Sequence, residues 1–301
     1  FQNLGLVIVD EQHRFGVAQR LALQNKGQDV HQLMMSATPI PRTLAMSFFA
    51  DLDVSVIDEL PPNRTPIKTR LVNSLRRTQV ESFVLSTCQK GQQAYWVCPL
   101  IEESETLQLQ TAVDTQLELQ QALPDLSIGL VHGRMKSADK AAVMAEFSAG
   151  RIDVLVATTV IEVGVDVPNA SLMVIEHAER MGLAQLHQLR GRVGRGAAAS
   201  ACVLIFSEPL SELSKARLKV IYEHTDGFEI ARQDLNIRGP GEFLGARQSG
   251  VPMLRFANLE EDLPLLEAAR DVAPRLIKER MDIVNIHLQR WLASRESYLG
   301  V

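Results

Sequence analysis

The sequence predicts an α/β fold built on parallel sheets. Short, continuous apolar runs alternate with longer segments whose apolar residues recur at helical spacing. Continuous apolarity is typical of strands that are covered on both faces, as strands in parallel sheets are. Repeated strand–helix units with short connections favour the right-handed α/β arrangement. After about residue 210 the apolar runs disappear, which predicts a helical C-terminal region.

Two strands and a helix are predicted near the N-terminus. The apolar run at residues 6–9 indicates a strand covered on both faces, residues 32–35 form a second short apolar stretch, and a helix is expected over 44–49. Residues 59–66 contain three prolines, and such a stiff, extended stretch is typical of a domain boundary. We therefore place a first domain at residues 1–60.

A second set of strands defines the domain that we place at residues 61–210. The predicted strands cover residues 93–100, 127–132, 154–157, 172–175 and 201–206. Between the second and the third of these strands, Ser137 is predicted to cap a helix that Gly150 stops. The order of elements again indicates strand–helix units.

The third region, residues 211–301, is predicted to be helical. Near its end, apolar residues recur at spacings of four, three, four and three, which is one face of an amphipathic helix. They are Ile277, Met281, Val284, Leu288 and Trp291. A face of this kind packs in a core or docks on another element.

The composition argues against several classes of protein. Hydrophobic residues make up 46% and charged residues 22% of the chain, the balance of a folded globular protein. No apolar run approaches the roughly 20 residues that cross a bilayer, and no signal-peptide pattern occurs, so we expect a cytoplasmic protein without a membrane partner. Cys88, Cys98 and Cys202 are widely spaced, which argues against disulfides and zinc sites and indicates buried, reduced thiols.

Basic residues are concentrated locally although the net charge is −5. By itself the net charge counts mildly against nucleic-acid binding. The arginines concerned are Arg180, Arg190, Arg192 and Arg195, followed by Arg217, Arg232, Arg238 and Arg247. A local strip of this kind can still attract phosphate groups.

Acidic and hydroxyl residues follow the first two strands. Asp10 and Glu11 come after the first strand, and ligands of open parallel sheets bind beyond the carboxyl ends of strands. One carboxylate there can hold Mg²⁺ through its water shell, and a second can deprotonate an attacking water. Ser36 and Thr38, after the second strand, can link a phosphate site to a neighbouring domain by hydrogen bonds. The alternatives are a pair of solvated acids and a plain turn.

Two later segments also suit phosphate chemistry. Thr158 and Thr159 end a predicted strand, and hydroxyls with free backbone N–H groups at a helix start suit phosphate or sugar contacts. A generic loop is the alternative. Residues 188–195 hold three arginines separated by glycines, and the planar guanidinium matches phosphate oxygens. Such arginines can stabilise the charge of phosphoryl transfer, or they can form a nucleic-acid-binding loop without a catalytic role.

In order and spacing, four segments resemble motifs II, III, V and VI of superfamily two helicases. These segments are residues 10–13, 36–38, 154–168 and 188–195. The resemblance implies RecA-like parallel-sheet domains, one partial (1–60) and one complete (61–210), with ATP bound between them. A C-terminal helical hairpin extension is implied for residues 211–301.

The resemblance also implies a role for each candidate residue. Asp10 would position Mg²⁺ through water, Glu11 would act as the general base, and Gln188 would assist Arg192 and Arg195 at the γ-phosphate. Asp166 is expected at the nucleotide as well. The residues expected to link hydrolysis to the DNA face are Ser36, Thr38, Thr158 and Thr159.

Within the superfamily, the chain resembles the branch-migrating DNA helicases. The residues that carry this resemblance are 10–17, 36–43 and 95–103. The transcription-repair coupling factor is similar over much of the span, but it would be expected to carry Asp-Glu-Glu-Gln where this chain has Asp-Glu-Gln-His. Residues 227–250 resemble a translocation motif that both groups share, a helical hairpin and loop that move duplex DNA. By that match Arg217, Arg238 and Gln248 are expected to couple hydrolysis to movement.

The sequence departs from the helicase pattern in two respects. No Gly-x-x-x-x-Gly-Lys-Ser/Thr loop occurs in the 301 residues, and a branch-gripping wedge domain is not recognised. We therefore expect a C-terminal piece that needs both in cis, is inactive alone and is a monomer when intact. The expected activity is ATP-dependent remodelling of forks and Holliday junctions in DNA repair and recombination.

Two other classes stay open. An RNA helicase could share the same motor core, although residues 238–250 argue against it. A non-catalytic nucleic-acid-binding module is the second alternative, since without the phosphate loop this chain should hydrolyse no ATP.

Overall fold

A computed structural model describes most of the chain. The described residues are 4–10, 22–23, 26, 30–36, 55–57, 59, 66–99, 105–158, 167–196, 198–238 and 262–292. By internal contacts the chain divides into one unit of residues 55–243 and a second unit of residues 1–54 with 244–301. The domain boundaries predicted at 60/61 and 210/211 stay predictions. The helix predicted at 44–49 lies outside the described residues.

Eight strands and eight α-helices occur among the described residues. The strands are β1 (Leu6–Val9), β2 (His31–Met34), β3 (Lys68–Asn73), β4 (Gln93–Cys98), β5 (Ile128–Val131), β6 (Val154–Thr158), β7 (Ala170–Ile175) and β8 (Ala201–Phe206). The helices are α1 (Arg77–Cys88), α2 (Glu105–Ala122), α3 (Ser137–Ser148), α4 (Leu183–Arg190), α5 (Glu212–Glu223), α6 (Gly227–Arg238), α7 (Leu263–Glu279) and α8 (Met281–Leu292). Short 3₁₀ turns lie at Ser74–Arg76 and Ala178–Arg180.

A six-stranded parallel sheet forms the centre of the unit at residues 55–243. Its strand order is β3-β8-β7-β4-β6-β5, and every neighbouring pair is parallel. Trp96 of β4 is in register with Val174 of β7 on one side and with Val156 of β6 on the other. The predicted α/β class with a parallel sheet is therefore confirmed.

Helices cover both faces of this sheet. Side chains alternate along β4: Tyr95 and Val97 enter the apolar cluster formed with α3, α4, α5 and α6, whereas Trp96 enters the cluster formed with α1 and α2. Every residue of β4, β6 and β7 is buried, because each strand has a layer of helices on either side. This double burial is why these segments read as continuous apolar runs. Truncating Trp96, which is fully buried, would cost about 3–5 kcal/mol.

Two local predictions for this unit have different outcomes. Gly150 ends α3 as expected: its φ is +74°, and its N–H donates to the Phe147 carbonyl at 3.0 Å. The prediction that Ser137 caps this helix is wrong, because Lys136 has the extended backbone of the N-cap and Ser137 is the first helical residue. The strand β3, whose residues are partly exposed, was not singled out from the sequence.

The other unit contains a two-stranded parallel sheet, in which Leu6 pairs with His31 and Val9 with Met34. The prediction that β1 is covered on both faces is wrong for most of the strand. Leu6 and Ile8 are more than half exposed, whereas Val9 is buried.

The C-terminal helices also belong to this unit. The apolar face predicted at 277–291 is divided between α7 and α8, because Arg280 between them has the non-helical backbone angles φ −140° and ψ 52°. Ile277 and Met281, on either side of this break, are more than half exposed. None of the helices among the described residues combines the length and the apolar character that a bilayer crossing requires.

Candidate functional site

The helix α4 places the arginine-rich segment next to the sheet. Leu183, Leu186 and Leu189 are buried in the apolar cluster and fix the rotation of the helix about its axis. Gln188 lies on the partly exposed side of the helix. The helix ends at Gly191, whose N–H donates to the His187 carbonyl at 3.0 Å. Residues 191–196, which we name the arginine loop, follow directly and lead towards β8.

Arg190, the first arginine of the segment, points into the protein. It is 3% exposed, and its Nη1 donates to the main-chain oxygens of Ile221 at 2.7 Å and His224 at 2.8 Å. A longer bond of 3.3 Å reaches the hydroxyl of Thr69 on β3. Burial lowers the pKa of the Arg190 guanidinium from its ordinary value. Arg190 therefore makes its hydrogen bonds inside the unit. The pattern of arginines and glycines alone did not distinguish it from Arg192 and Arg195.

Arg192 and Arg195 remain at the surface of the arginine loop. Arg192 is partly exposed and Arg195 is exposed, with its Nε donating to the Gly191 carbonyl at 3.5 Å. Gly194 between them has a φ of +79°, and a Cβ atom there would come within 3.0 Å of Ile67. Glycine is the residue that adopts this backbone without strain. The loop therefore presents two guanidinium groups on a backbone shape that most residues would disturb.

The arginine loop contacts the end of the segment at 154–168. The backbone of Gly196 lies so close to the main-chain carbonyl of Pro168 that a Cβ atom on Gly196 would overlap with it. Thr158, at the end of β6, is buried, and its hydroxyl has no hydrogen-bond partner among the described residues. The fold thus brings together the loops before β7 and before β8. Thr159 and Asp166 lie outside the described residues.

The two-stranded sheet brings the acidic and hydroxyl candidates to one edge. Asp10 directly follows β1, and Ser36 follows β2 after Met35, whose N–H donates to the Val9 carbonyl at 2.8 Å. Parallel pairing puts both strand ends on the same side. A carboxylate and a hydroxyl are oxygen donors of the kind that suits Mg²⁺. Glu11 and Thr38 lie outside the described residues.

Among the three residues expected to couple hydrolysis to movement, Arg217 has a described side chain. Its Nη2 donates to the Glu179 carbonyl at 3.1 Å, and the Ser214 hydroxyl donates to the same carbonyl at 2.9 Å. These bonds tie α5 to the turn at Ala178–Arg180. Arg238 is the last residue of α6, and Gln248 lies outside the described residues.

A cavity of about 320 Å³ opens where β3, β7 and β8 end. Arg77 lines it, with its guanidinium 3.0 Å from Glu176 and 3.1 Å from Glu118, over the ring of Trp96 at 5.3 Å. Another carboxylate, that of Glu81, lies 2.9 Å from Arg77. The positive charge in this cavity is therefore already matched by carboxylates. The sequence analysis did not identify this cluster, because its members are far apart along the chain.

The three cysteines are buried and free, as the sequence predicts. Removal from water raises the pKa of the Cys88, Cys98 and Cys202 thiols to about 12. They therefore act as small apolar side chains.

Comparisons with known proteins agree with this arrangement. The family "Helicase conserved C-terminal domain" matches residues 75–197, and "ATP-dependent DNA helicase RecG, domain 3, C-terminal" matches residues 224–287. The ATP-dependent DNA helicase RecG of Acidithiobacillus ferridurans is 57% identical over 99% of this chain and 44% of its own length. RecG of Escherichia coli (strain K12) is 56% identical, with the same coverage of both chains.

A solved structure is similar too. The protein in "Structure of RecG bound to three-way DNA junction" has a TM-score of 0.68 and 49% sequence identity, over 89% of this chain and 34% of that chain. The fold is therefore the RecA-like fold of helicases. The chain spans 44% of the length of the two RecG relatives named above. Over that span, its sequence belongs to the RecG family of ATP-dependent DNA helicases.

Proposed function

We propose that this chain forms part of an ATP-driven motor that remodels branched DNA, regressing stalled forks and moving Holliday junctions in DNA repair and recombination. The observation that carries the proposal is that the arginines of one segment differ in their exposure to solvent. Arg190 is held inside the protein, whereas Arg192 and Arg195 stay at the surface on a glycine-shaped loop. Surface guanidinium groups on a fixed backbone suit the recognition of phosphate oxygens.

Arg192 and Arg195 are proposed to contact the γ-phosphate of ATP. Their planar guanidinium groups match phosphate oxygens and stabilise the negative charge that is spread over these oxygens during phosphoryl transfer. Gln188 lies on the partly exposed side of α4, in its second turn, and assists at the same phosphate. Asp166 completes the set of nucleotide contacts.

Asp10 and Glu11 are proposed to provide the acidic groups of the reaction. Asp10 holds Mg²⁺ through a water molecule, and Glu11 accepts the proton of the attacking water. When bound, Mg²⁺ neutralises negative charge on the triphosphate. The position of Asp10 at the carboxyl end of β1 supports this role, since ligands of open parallel sheets bind beyond that end.

A second set of residues is proposed to link hydrolysis to DNA. Its members at strand ends are Ser36, Thr38, Thr158 and Thr159, and its members in the helical region are Arg217, Arg238 and Gln248. The buried hydroxyl of Thr158, without a described partner, supports a role in which a neighbouring group approaches it. The bond from Arg217 to Glu179 joins α5 to the turn that follows β7, and this supports a role in passing movement between these two elements.

Branched DNA is the proposed substrate. The similar structure bound to a three-way DNA junction supports this choice. The 301 residues contain no phosphate-binding Gly-x-x-x-x-Gly-Lys-Ser/Thr loop, so we propose that this loop and a wedge domain act in cis and that the chain alone hydrolyses no ATP. The three buried thiols support a reducing, cytoplasmic setting, and we propose that the intact protein is a monomer.

ATP hydrolysis by the complete gene product that carries this sequence tests the proposal. Rates are compared with forked DNA, with linear duplex DNA and without DNA, beside the Glu11→Gln variant. Strong stimulation by forks that disappears in Glu11→Gln is the expected result. Equal stimulation by fork and duplex would indicate a duplex translocase instead. No hydrolysis with either DNA would refute the proposed activity.

A further inference from the structure

The arginine loop packs against the turn at residues 167–170, which leads into β7. The contact joins backbone to backbone: Gly196 of the loop lies against the Pro168 carbonyl of the turn, so closely that a Cβ atom on Gly196 would overlap with this oxygen. No side chain lies between them to absorb a movement of either partner. The position of the arginine loop therefore depends on where the Pro168 carbonyl points.

That carbonyl belongs to the central peptide of a β-turn. The N–H of Ala170 donates to the Val167 carbonyl at 3.0 Å, which closes the turn. Both of these residues are buried in the core, whereas Pro168 and Asn169 at the tip are exposed. Packing therefore fixes the two ends of the turn but not the central peptide between Pro168 and Asn169.

The central peptide of a β-turn can face either of two opposite ways. In a type II turn it is flipped relative to a type I turn, and the third residue then has a positive φ. Among the described residues, a positive φ at a non-glycine position occurs at His177 and not at Asn169, the third residue of this turn. Asparagine also tolerates the type II form. The residue type by itself thus permits a flip that would turn the Pro168 carbonyl away from Gly196.

The side chain of Asn169 holds this peptide in the observed orientation. Its Nδ2 donates to the Gly91 carbonyl at 2.8 Å and to Oε1 of Gln93 at 3.3 Å. The main-chain carbonyl of Asn169 accepts from the N–H of Gln93 at 3.0 Å. These bonds join the tip of the turn to the start of β4 and to the turn that precedes it.

Both side-chain acceptors of Asn169 are fixed by their own surroundings. Gly91 lies in the turn that follows α1. Gln93 is 3% exposed, and its Nε2 donates to the carbonyls of Phe147 at 2.6 Å and Ile152 at 2.7 Å. Because the amide nitrogen is engaged there, the amide oxygen is left to accept from Asn169. The tip of the turn is therefore tied to groups that belong to the central sheet and its helices.

We propose that Asn169 is a positioning residue for phosphoryl transfer, which holds the Pro168 carbonyl where the arginine loop packs. Arg192 and Arg195 belong to that loop, and a misplacement of about 1 Å can slow a reaction by about 10²-fold. Asp166 directly precedes the turn, so the same bonds constrain the segment that leads to it. The inference rests on the proposed function, because it takes the two arginines to meet the γ-phosphate. Asn169 acts through the loop and not on the phosphate.

Asn169→Asp in the complete gene product tests the proposal. The change replaces the donor by a carboxylate oxygen that faces two other acceptors, the Gly91 carbonyl and the Gln93 amide oxygen, so it pushes the tip of the turn away. We expect kcat for ATP hydrolysis with saturating forked DNA to fall about tenfold, and KM for ATP to stay within about twofold of wild type. A variant that merely lost stability would not separate kcat from KM in this way.

Asn73→Asp is the matched control. It adds the same charge, but the Asn73 side-chain oxygen accepts from the N–H of Leu75 at 3.0 Å, and a carboxylate keeps that bond. Both kinetic values should therefore stay at wild type. Asn169→Ala is the second variant, which removes the donor without adding charge, and it should lower kcat in the same direction.

Backbone hydrogen exchange measures the arginine loop without any activity. In Asn169→Asp and Asn169→Ala, exchange of the amides at residues 192–196 should become faster by about threefold to tenfold, the effect of losing roughly one hydrogen bond, with β8 unchanged. A wild-type kcat in the folded variants, a loss seen in KM alone, or unchanged exchange at these amides would each overturn the proposal.

A double-mutant cycle tests whether Asn169 acts through the contact with Pro168. Gly196→Ala separates the loop from the turn by itself, so it should also lower kcat about tenfold. Adding Asn169→Ala should then lower kcat by less than about twofold more, because the contact is already lost. Two independent losses, about a hundredfold together, would overturn the proposal. A wild type that hydrolyses no ATP would instead refute the proposed function, and the exchange experiment would still show whether Asn169 fixes the arginine loop.

Discussion

Arg77 Nε lies 3.0 Å from Glu176 Oε1, and this ion pair joins the start of α1 to the end of β7. The side chains are 26% and 12% exposed, so solvent screens the pair only partly. Two further carboxylates, of Glu81 and Glu118, lie within 3.1 Å of the same guanidinium. Arg77 therefore neutralises a group of acids that would otherwise repel one another beside the cavity at the strand ends.

Replacing Arg77 with methionine should destabilise the fold by about 1.5–3 kcal/mol, because the largely buried Glu176 carboxylate loses its charged partner. Urea unfolding of Arg77→Met, of Glu176→Gln and of the double variant gives the interaction energy as a double-mutant cycle. The exposed pair of Arg151 and Glu146 is the control, and Arg151→Met should change the free energy of unfolding little. Equal losses in the two arginine variants would contradict this prediction.

Gly196→Ala should destabilise the protein by about 1–3 kcal/mol, because the new methyl group overlaps with the Pro168 carbonyl and the two loops must separate. Thermal and urea unfolding measure the change. The control is Gly191→Ala, whose Cβ would meet its nearest atom at an ordinary 3.4 Å. If both variants are equally stable, the loops do not have the close approach described here.

Arg192→Gln and Arg195→Gln should each lower the rate of ATP hydrolysis by the complete gene product by about 10³-fold, the effect expected for arginines that stabilise phosphoryl transfer. Arg192→Lys and Arg195→Lys should not restore the rate, since lysine lacks the planar fork. Steady-state hydrolysis with saturating forked DNA is the measurement. A loss of fork binding at an unchanged hydrolysis rate would favour a purely DNA-binding role for the arginine loop.

The three cysteines should resist alkylation at pH 8 in the folded protein and react fully in guanidinium chloride. Burial raises the pKa of Cys202 from an ordinary 9.0 to about 12, and the other two thiols show the same shift, so the reactive thiolate is scarce when the chain is folded. Counting labelled thiols by mass spectrometry gives the result. Rapid labelling of any native cysteine would show that its site opens to solvent.

The same shift predicts how stability depends on pH. A thiol with a raised pKa in the folded state stabilises the fold fully below pH 9 and loses that contribution as pH rises from 9 towards 12. The free energy of unfolding should therefore fall above pH 9. It should fall less steeply in Cys202→Ala, which lacks one of the titrating groups, and an identical slope in the two proteins would count against the buried state of Cys202.

Several features of the fold could be predicted because they depend on neighbours along the chain. The strands β4, β6 and β7 appear as apolar runs, since each of their residues is buried whichever way it points. Gly150 was identifiable as a helix end because a positive φ favours glycine wherever it occurs. Where such local signals were weak, predictions were incomplete or wrong, as for the partly exposed strand β3 and the cap of α3.

The candidate site was likewise predictable only as far as local sequence signals reach. The order and spacing of residues 10–13, 36–38, 154–168 and 188–195 resemble helicase motifs, and this resemblance indicated the family. The local pattern of arginines and glycines did not separate the three arginines of that segment, and only the resemblance gave Arg192 and Arg195 the role at the γ-phosphate. The structure shows that Arg190 is buried and that the other two are at the surface. The burial of Arg190 depends on α5, which begins more than 20 residues later in the chain and supplies the Ile221 carbonyl oxygen as an acceptor.

The sequence by itself thus determined the class of fold, the position of most strands and the family to which the chain belongs. Only the tertiary structure decided the strand order, the pairing of Arg77 with Glu176 and the direction in which Arg190 points. The reason is physical. Periodicity and turn chemistry act over a few residues, whereas the partner of a buried charge is whatever group the folded chain brings within hydrogen-bond distance.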